Sequence, residues 1–394
     1  MVRKVCIAVH SRANYGRIKT VMREIQKHPL LELQLIVGSS ALLTRFGSAI
    51  DNIRSDGFKE LATVSSIIEG ENPTTMAKST GLAIIELATH FENLKPDIVL
   101  TVADRFETLA TAVASSYMNI PLAHTQGGEV TGSIDESVRH AITKLAHIHF
   151  PATERARDFI LRLGEDKNSV HLTGCPAIDL VAESDLKINN DIFKMYGGVG
   201  ERIDANKDFI VVLQHPITTE YGQGFLQINE TLNAIYKLSQ EGYQVVWLWP
   251  NVDAGSDDVS KGIRSFREKH NTKNIRFFKN FYPEDYISLL AHCKCIVGNS
   301  SSGIREAAFL GTPCVNIGSR QSGRERSENV INVRHNCNEI YNAISKQVNH
   351  GKYQKSTLFG DGNSGKRIAE ILANVEPNIQ KKISYISDDL FDGK

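Results

Sequence analysis

The chain has 394 residues, and its 45 basic and 45 acidic residues give a formal net charge of zero. This balance gives no electrostatic argument for nucleic acid or an anionic membrane as a partner, although it allows a local basic pocket for a small phosphate ligand. The length accommodates two domains with substantial cores, and no run approaches the ~18 apolar residues that a membrane-spanning helix needs.

The N-terminus is better interpreted as a buried strand than as a signal peptide, because the apolar stretch 5–9 is short and polar residues follow at 10–12. The six cysteines are scattered along the chain. The segment Cys293-Lys294-Cys295 lacks a second pair of ligands, so we expect no metal site. Reduced and mostly buried thiols predict a cytoplasmic protein.

In the first half, short β-branched runs alternate with stretches in which apolar residues recur every three or four positions. These patterns predict strands at 5–10, 33–37, 97–102, 120–124 and 148–151. They predict helices at 18–25, 73–94, 106–118, 133–146 and 154–163. The alternation indicates an α/β domain whose parallel sheet is covered by helices on both faces.

The segment from about 177 to 206 is polar and lacks long apolar runs, so we place the inter-domain region there. The alternation then restarts, with strands predicted at 209–213, 243–249, 275–278, 295–297, 314–317 and 330–333. Helices are predicted at 225–238, 259–269, 283–292, 307–310, 338–347 and 363–374. We therefore predict two doubly wound Rossmann-like domains, 1–176 and 177–362, and a polar, loosely ordered tail at 377–394.

The stretch from Gly298 to Glu306 follows an apolar strand and precedes a helical pattern. Small residues at such a junction let backbone N–H groups and hydroxyls close on an anion at a helix N-terminus. Glu306 lies early in the helix, where a carboxylate can accept hydrogen bonds from a diol. Phosphate plus diol indicates a nucleotide. The alternative is a Ser-capped helix with an Arg305–Glu306 ion pair.

Ligands bind off the carboxyl ends of the strands in open parallel sheets, so the residues that follow each strand predict the site. They are rich in charge and hydroxyl groups: Ser11, Arg12, Asp104, Arg105, the segment 124–129, His215, the segment 251–253, Ser300, Ser301 and Arg320. The nucleotide would occupy the second domain, and chemistry would face it from the first domain across a cleft. A carboxylate serves as general acid or base when burial or a neighbouring carboxylate raises its pKa.

The candidates for this role are the first-domain carboxylates Asp104, Glu129, Asp135 and Glu136. Asp135 and Glu136 equally fit a plain helix N-terminus, with capping as their whole role. His124 fits either a core imidazole or a site residue. His215, directly before a proline at a strand end, is favoured as functional, and Arg139 is expected to pack or pair on its helix.

Ordered motifs run from about residue 4 to about residue 375. They include Ser11-Arg12-Ala13-Asn14-Tyr15, Asp104-Arg105-Phe106, Gly127-Gly128-Glu129, Gln214-His215-Pro216, Pro250-Asn251-Val252-Asp253, Gly298-Asn299-Ser300-Ser301 and Gly323-Arg324-Glu325. Together they resemble the hydrolysing UDP-N-acetylglucosamine 2-epimerases. The similarity is strongest to the bacterial sialic-acid-pathway enzymes and to the epimerase half of the bifunctional animal enzyme.

The resemblance implies the GT-B-type fold of many nucleotide-sugar glycosyltransferases, with a final helix at about 363–376 crossing back to complete the first domain. It implies that UDP-GlcNAc loses its C2 proton and UDP to give a 2-acetamidoglucal. Water then adds to give N-acetylmannosamine, the first step of sialic-acid-type synthesis. No metal or nicotinamide cofactor is required, and a homodimer or homotetramer is expected.

The resemblance also implies roles for individual residues. UDP would be held by Arg12, Arg105, His215, Asn251, Ser300, Ser301, Glu306 and Arg320. Glu306 would bind the ribose diol, and His215 would also assist the departure of UDP. His124 joins the substrate-binding set, as does Gly16, whose backbone N–H would replace a serine that the animal enzyme has near the phosphates. Asp104 and Asp135 match catalytic carboxylates.

Gln126 departs from the family pattern, because members often carry a glutamate two residues after the histidine that matches His124. Glutamine cannot exchange a proton near neutral pH. Either Glu129 or Glu136 takes over that role, or the step tolerates an amide, or the substrate differs. UDP-N,N′-diacetylbacillosamine, used in legionaminic-type synthesis, is the close alternative substrate. More distant alternatives are a GT-B glycosyltransferase, a non-hydrolysing 2-epimerase and a sugar-nucleotide sensor.

Overall fold

Two parallel sheets organise the chain in the computed structural model, which describes residues 2–44, 47–188, 190–251 and 253–384. The strands of the first sheet are β1 (Arg3–Val9), β2 (Leu31–Gly38), β3 (Ala62–Val64), β4 (Ile98–Val102), β5 (Leu122–Thr125) and β6 (Ile148–Phe150). All pair in parallel, in the order β3-β2-β1-β4-β5-β6. Strands β2 and β3 lie on one side of β1, and β4, β5 and β6 lie on the other. The crevice between β1 and β4, where the strand order reverses, is the position at which such sheets bind ligands.

Helices cover both faces of the first sheet, because its strands carry apolar side chains on both sides. They are α1 (Arg12–Lys27), α2 (Ala49–Ser55), α3 (Pro73–Leu94), α4 (Phe106–Tyr117), α5 (Ile134–Leu145) and α6 (Glu154–Arg162). In β1, Val5 and Ile7 pack into the core beneath α1, whereas Cys6 and Ala8 pack into the core beneath α3 and α4.

The second sheet repeats this plan. Its strands are β7 (Val199–Gly200), β8 (Phe209–Leu213), β9 (Gln244–Leu248), β10 (Ile275–Phe278), β11 (Cys295–Gly298), β12 (Cys314–Ile317) and β13 (Val330–Val333). The order is β13-β12-β11-β8-β9-β10-β7, and β7 alone of these strands runs antiparallel, beside β10. The switch point lies between β8 and β11, so both sheets present a switch point to the space between the domains.

The helices of this half are α7 (Pro176–Glu183), α8 (Asp191–Met195), α9 (Gly224–Gln240), α10 (Ser256–Lys269), α11 (Pro283–His292), α12 (Glu306–Leu310) and α13 (Cys337–His350). The β8 residues Val211 and Val212 belong to cores on opposite faces of the sheet. The predicted α/β class, with two doubly wound parallel sheets, is confirmed.

Five short elements, α2, β3, α7, α8 and β7, were not predicted from the sequence. The segment 177–206, which we expected to be a polar inter-domain region, contains most of α7 together with α8 and β7. Its apolar residues form no long run, but tertiary contacts bury them: Ile178 and Val181 are buried, and α7 packs against α1 of the first domain and α12 of the second. Tertiary contacts therefore supply an order that sequence periodicity did not indicate.

The last helix, α14 (Ser364–Asn374), packs against α1. Its first backbone N–H groups, those of Ser364 and Gly365, donate to the buried carboxylate of Asp179 at 2.9 and 2.5 Å. A Cβ at Gly365 would lie 3.0 Å from the backbone of Thr20, so the small residue allows the two helices to approach closely. The helix thus joins the core of the first domain.

The tail after this helix was expected to be loosely ordered. Residues 377–384 are instead tied to the first domain, where Lys381 pairs with Glu165 at 2.6 Å and donates to the carbonyl of Lys144 at 2.9 Å. The Ser384 N–H donates to the Gly164 carbonyl at 2.8 Å. The rest of the predicted tail, 385–394, lies outside the described residues.

Candidate active site

A cleft lies between the two domains at the carboxyl ends of the strands, with about 970 Å³ of empty space when its open mouth is included. Several of the predicted binding residues line it: Arg12, Gly16, His215, Asn251, Ser300, Ser301, Glu306 and Arg320. Leu248, Phe281 and Ile287 add an apolar wall, which suits a planar base. The cleft therefore offers apolar and polar surfaces in a single space.

The turn after β11 depends on a glycine. Gly298 has a φ of 132°, and a Cβ there would lie 2.1 Å from the Leu213 carbonyl oxygen. The fully buried Asn299 accepts a hydrogen bond from the His215 N–H at 2.7 Å and donates to the His215 carbonyl at 2.9 Å. These bonds fix the end of β8 against the end of β11, so residues from both strands face the same space.

The hydroxyl groups after this turn line the cleft. Ser300 begins a single 3-10 turn, Ser301–Gly303, and the helix α12 that follows has five residues. The Ser301 hydroxyl accepts from Arg17 at 2.6 Å, and the Ser302 hydroxyl bonds to Tyr286 at 2.6 Å. The helix that we expected to face an anion is therefore short, and the turn before it presents the serine hydroxyl groups to the cleft.

Glu306 is the first residue of α12 and lines the cleft. One of its carboxylate oxygens is buried without a hydrogen-bond partner among the residues that the structure describes. A buried carboxylate oxygen is costly to leave unbonded, so this position favours a ligand that donates hydrogen bonds.

His215 faces the cleft as a neutral imidazole. Burial, with a further contribution from Arg320, lowers the pKa of His215 well below its ordinary value. The Asn251 N–H donates to Nδ1 at 3.1 Å, so the proton of the neutral ring is on Nε2. This tautomer makes His215 a hydrogen-bond donor for an anionic oxygen.

Arg12 links the domains at the edge of the same cleft. Its guanidinium donates to Asn251 Oδ1 at 3.1 Å, to the Trp249 carbonyl at 2.8 Å and to the Lys279 carbonyl at 2.6 Å. Arginine has five N–H donors, so these bonds to described residues leave two that are able to reach a phosphate.

A second group of side chains, beyond Arg12 and His215, is dominated by ion pairs. Asp104 pairs with the buried Arg139 of α5. Arg105 binds both carboxylate oxygens of Glu107, at 3.0 and 3.1 Å, and crosses the cleft to Asp253 at 2.7 Å. Arg105 thus binds a carboxylate of each domain, Glu107 of the first and Asp253 of the second.

Asp135 is the second residue of α5 and lies 3.8 Å from Arg320. Burial raises the pKa of Asp135, Arg320 opposes this rise, and the nearby Asp253 adds to it. Burial also acts on Asp253, but Arg105 and Arg320 outweigh it and hold the pKa of that carboxyl below its usual value. Two neighbouring carboxyl groups with opposite shifts are suited to separate acid and base roles.

A family model described as UDP-N-acetylglucosamine 2-epimerase matches residues 23–373. The chain belongs to this family. The UDP-N,N′-diacetylbacillosamine 2-epimerase (hydrolyzing) of Legionella pneumophila is 31% identical over 375 residues, which cover 95% of this chain and 97% of that relative. The UDP-N-acetylglucosamine 2-epimerase of Neisseria meningitidis is 30% identical over 394 residues, which cover 99% of this chain and all of that relative.

Solved structures of the same family share the fold of this chain. The UDP-GlcNAc 2-epimerase of Neisseria meningitidis bound to UDP-GlcNAc aligns with a TM-score of 0.77 at 21% identity, over 94% of this chain and 100% of that one. The Methanocaldococcus jannaschii enzyme in complex with UDP-GlcNAc and UDP gives 0.78 at 19% identity, with the same coverage of both chains.

Some predicted residues of the epimerase lie outside the cleft lining. His124 is fully buried, with Nε2 2.7 Å from the Ala103 carbonyl and Nδ1 3.3 Å from the Thr143 hydroxyl. Burial lowers the pKa of His124 to about 3. Of the two roles that the sequence left open, this environment is that of a core imidazole.

The two glutamates proposed to replace a family carboxylate also have structural partners. Glu129 bonds to Arg305 and lies 3.4 Å from Arg324. Burial acts to raise the pKa of Glu129, but these arginines outweigh it and lower that pKa. Glu129 therefore holds a proton poorly. Glu136 accepts from the Thr131 N–H at 3.1 Å, in the loop before α5, and no side chain among the described residues caps the first turn of that helix.

The structure brings to the site two residues that were absent from the predicted set, Arg17 and Tyr286, and gives an ion-pair partner to Asp253. Arg17 follows Gly16 on α1, and the side-chain spacing from Ala13 was the available signal. Asp253 lies in a strand-end segment that the sequence identified, but nothing in the sequence showed its pairing with Arg105. Tyr286 lies within a helix and carried no sequence signal.

In the part of the epimerase chain that the structure describes, no helix is long and apolar enough to cross a membrane. The same residues contain no group of three or more His, Cys, Asp or Glu side chains placed to hold a metal ion. The six cysteines are free thiols, and all except the partly exposed Cys337 are buried, as predicted.

Proposed function

We propose that this family member is a hydrolysing 2-epimerase that converts UDP-GlcNAc and water into N-acetylmannosamine and UDP. The observation that carries the proposal is that Asp135 lies 3.8 Å from Arg320 of the cleft lining, and that Arg105, the neighbour of Asp104, crosses to Asp253 of the second domain. The hydrolysing activity in the name of the Legionella relative supports it. A cytoplasmic homodimer or homotetramer that supplies a sialic-acid-type synthesis is part of the proposal.

The nucleotide would bind with its base against the apolar wall and its ribose diol on Glu306. The diphosphate would receive hydrogen bonds from the hydroxyls of Ser300 and Ser301, from Arg12 and from the Nε2–H of His215. A neutral donor is favourable there, because it stabilises the charge that develops on the leaving oxygen without binding the ground-state anion too strongly.

The reaction would begin when a carboxylate, Asp104 or Asp135, removes the C2 proton of the sugar. The C2–H electron pair forms the C1=C2 double bond, the C1–O bond breaks, and UDP leaves with its electrons. Water then adds to the 2-acetamidoglucal, with its hydroxyl on C1 and a proton delivered to C2 from the opposite face. Free UDP and N-acetylmannosamine result, with no net oxidation or reduction.

UDP-N,N′-diacetylbacillosamine is the second candidate substrate, with the same reaction. The observation in its favour is that the Legionella relative named for this sugar is as similar to the chain as the Neisseria relative named for UDP-GlcNAc. The two substrates differ at C4 and C6 of the sugar, far from the C2 proton and the C1–O bond that react.

Proton NMR of the purified protein with UDP-GlcNAc in deuterium oxide tests the proposal. We expect free UDP and N-acetylmannosamine deuterated at C2, because the proton returned to C2 comes from solvent. Free UDP with undeuterated N-acetylglucosamine would contradict it and indicate simple hydrolysis. Turnover of the 4-acetamido-6-deoxy substrate alone would select the second candidate, and UDP-GlcNAc binding without turnover of either would identify a sensor.

A further inference from the structure

Gln126 crosses the domain boundary from the end of β5. It is fully buried, has a left-handed φ of 60°, and its N–H donates to the Phe150 carbonyl at 3.0 Å. Its side-chain Oε1 accepts a hydrogen bond from Arg305 Nη1 at 2.7 Å, and its Nε2 is 3.3 Å from the sulfur of Cys175. Both ends of the amide are therefore engaged within the protein.

Arg305 is the residue immediately before Glu306, at the start of α12. It is 1% exposed, and its second terminal nitrogen bonds to Glu129. Burying a guanidinium is costly unless its donors find acceptors, so the position of Arg305 depends on the Gln126 and Glu129 oxygens. Because Arg305 and Glu306 are adjacent in the chain, an oxygen that fixes Arg305 also fixes the backbone from which Glu306 extends.

The charges around Arg305 show what position 126 has to provide. Arg17, Arg139 and Arg324 are close enough to affect one another's proton affinities, and Glu129 neutralises part of this positive charge. An acceptor for Arg305 is required at residue 126, and either an amide or a carboxylate oxygen satisfies that requirement. A carboxylate in this setting would stay ionised, because the arginines favour its charged form.

We propose that Gln126 is a positioning residue for the nucleotide: its amide oxygen holds Arg305, and Arg305 holds Glu306 at the edge of the cleft. The ribose role of Glu306 belongs to the proposed function, on which this inference rests. Residue 126 then takes no part in proton transfer, so the glutamine does not stand in the place of a required acid or base. The residue ties the reaction side of the first domain to the nucleotide side of the second.

The test compares Gln126→Ala, Gln126→Met and Gln126→Glu with the matched changes Gln240→Ala and Gln240→Glu on the exposed surface of α9. UDP affinity is measured by isothermal titration calorimetry. We expect the alanine and methionine variants to bind UDP about tenfold more weakly, since a hydrogen bond to a charged group is lost. The glutamate variant keeps an acceptor and is expected to bind within about threefold of the wild type.

For the same variants, kcat and KM are determined across pH 5.5–9 from the rate of UDP release. We expect Gln126→Met to raise KM with a smaller change in kcat, and Gln126→Glu to keep the wild-type pH profile. Wild-type UDP affinity in a folded Gln126→Met variant would overturn the proposal. The proposal would also be overturned if Gln126→Glu showed a new ionisation in its pH profile or a tenfold gain in kcat. The UDP titration needs no turnover, so it still decides the role of Gln126 if the proposed reaction proves wrong.

Discussion

The two ends of the cleft are built in different ways. The end that we propose for the nucleotide is lined by serine hydroxyls and one neutral imidazole, which follow β11 and β8 of the second domain. The reaction end uses charged pairs, and two of them join the domains: Arg105 with Asp253 and Asp135 with Arg320. The first end takes most of its lining from the second domain, with Arg12 and Arg17 added by the first, whereas the charged pairs of the second end are divided between the domains.

The largest effect that separates the two ends is expected for Asp104→Asn. Turnover should fall by about 10³-fold, because an amide cannot take a proton from carbon. UDP affinity should stay within a few-fold of the wild type, since Asp104 belongs to the reaction end. Turnover assays and UDP titration measure the two quantities on the same sample. Loss of both would show that the Asp104–Arg139 pair is structural.

Glu306→Ala probes the opposite end. We expect UDP to bind roughly 10- to 100-fold more weakly, because hydrogen bonds to a charged acceptor are lost. Glu306→Gln keeps one acceptor oxygen and serves as the matched control, with a smaller loss. Calorimetric titration with UDP gives both values. Unchanged affinity in the alanine variant would exclude Glu306 from the nucleotide site.

A pH-dependent loss of stability is expected from two fully buried imidazoles of the first domain. Burial lowers the pKa values of His10 and His124 to about 3, whereas an unfolded histidine titrates near its ordinary value of about 6.5. Below that pH the unfolded chain binds protons that the folded chain does not. The free energy of unfolding should therefore decrease on acidification, by about 1.4 kcal/mol per pH unit for each group.

Urea unfolding between pH 7 and 5 measures this slope. His124→Gln keeps a donor for the Ala103 carbonyl and removes one titrating group, so its stability should fall less steeply with acid. Equal slopes for the variant and the wild type would show that His124 is not the source.

The smallest effect is expected for Glu136→Gln. The amide oxygen of glutamine can still accept from the Thr131 N–H, so turnover should stay within about twofold and the melting temperature should be unchanged. The same change of carboxylate to amide at Asp104 provides the contrast. A large loss of turnover in a folded Glu136→Gln variant would make Glu136 an acid or base of the reaction.

Sequence reasoning was most successful where the determining interactions are local. The bounds of β8, β10, α11, β12 and β13 were predicted without error, because each is a short apolar run or an amphipathic helix between clear breaks. Strand-end positions identified part of the polar cleft lining, including Arg12, His215 and Asn251, because a parallel sheet brings the carboxyl ends of its strands to one edge.

Pairing between charged residues was not predictable in this way. Asp104 and Arg139 are 35 positions apart, and Glu129 and Arg305 are 176 apart. A list of carboxylates at strand ends does not show which of them an arginine neutralises. Glu129 was therefore considered as an acid or base, although its two arginine neighbours reduce its affinity for protons.

The return of α14 to the first domain has a consequence for synthesis on the ribosome. Ile368 and Leu372 of this helix fill the same core as Ile18 and Ile25 of α1. A nascent chain that has emerged only as far as residue 176 lacks these side chains and leaves one face of α1 open to water. The domain made first is therefore among the last to be completed, and during translation its exposed apolar face must be kept from other nascent chains.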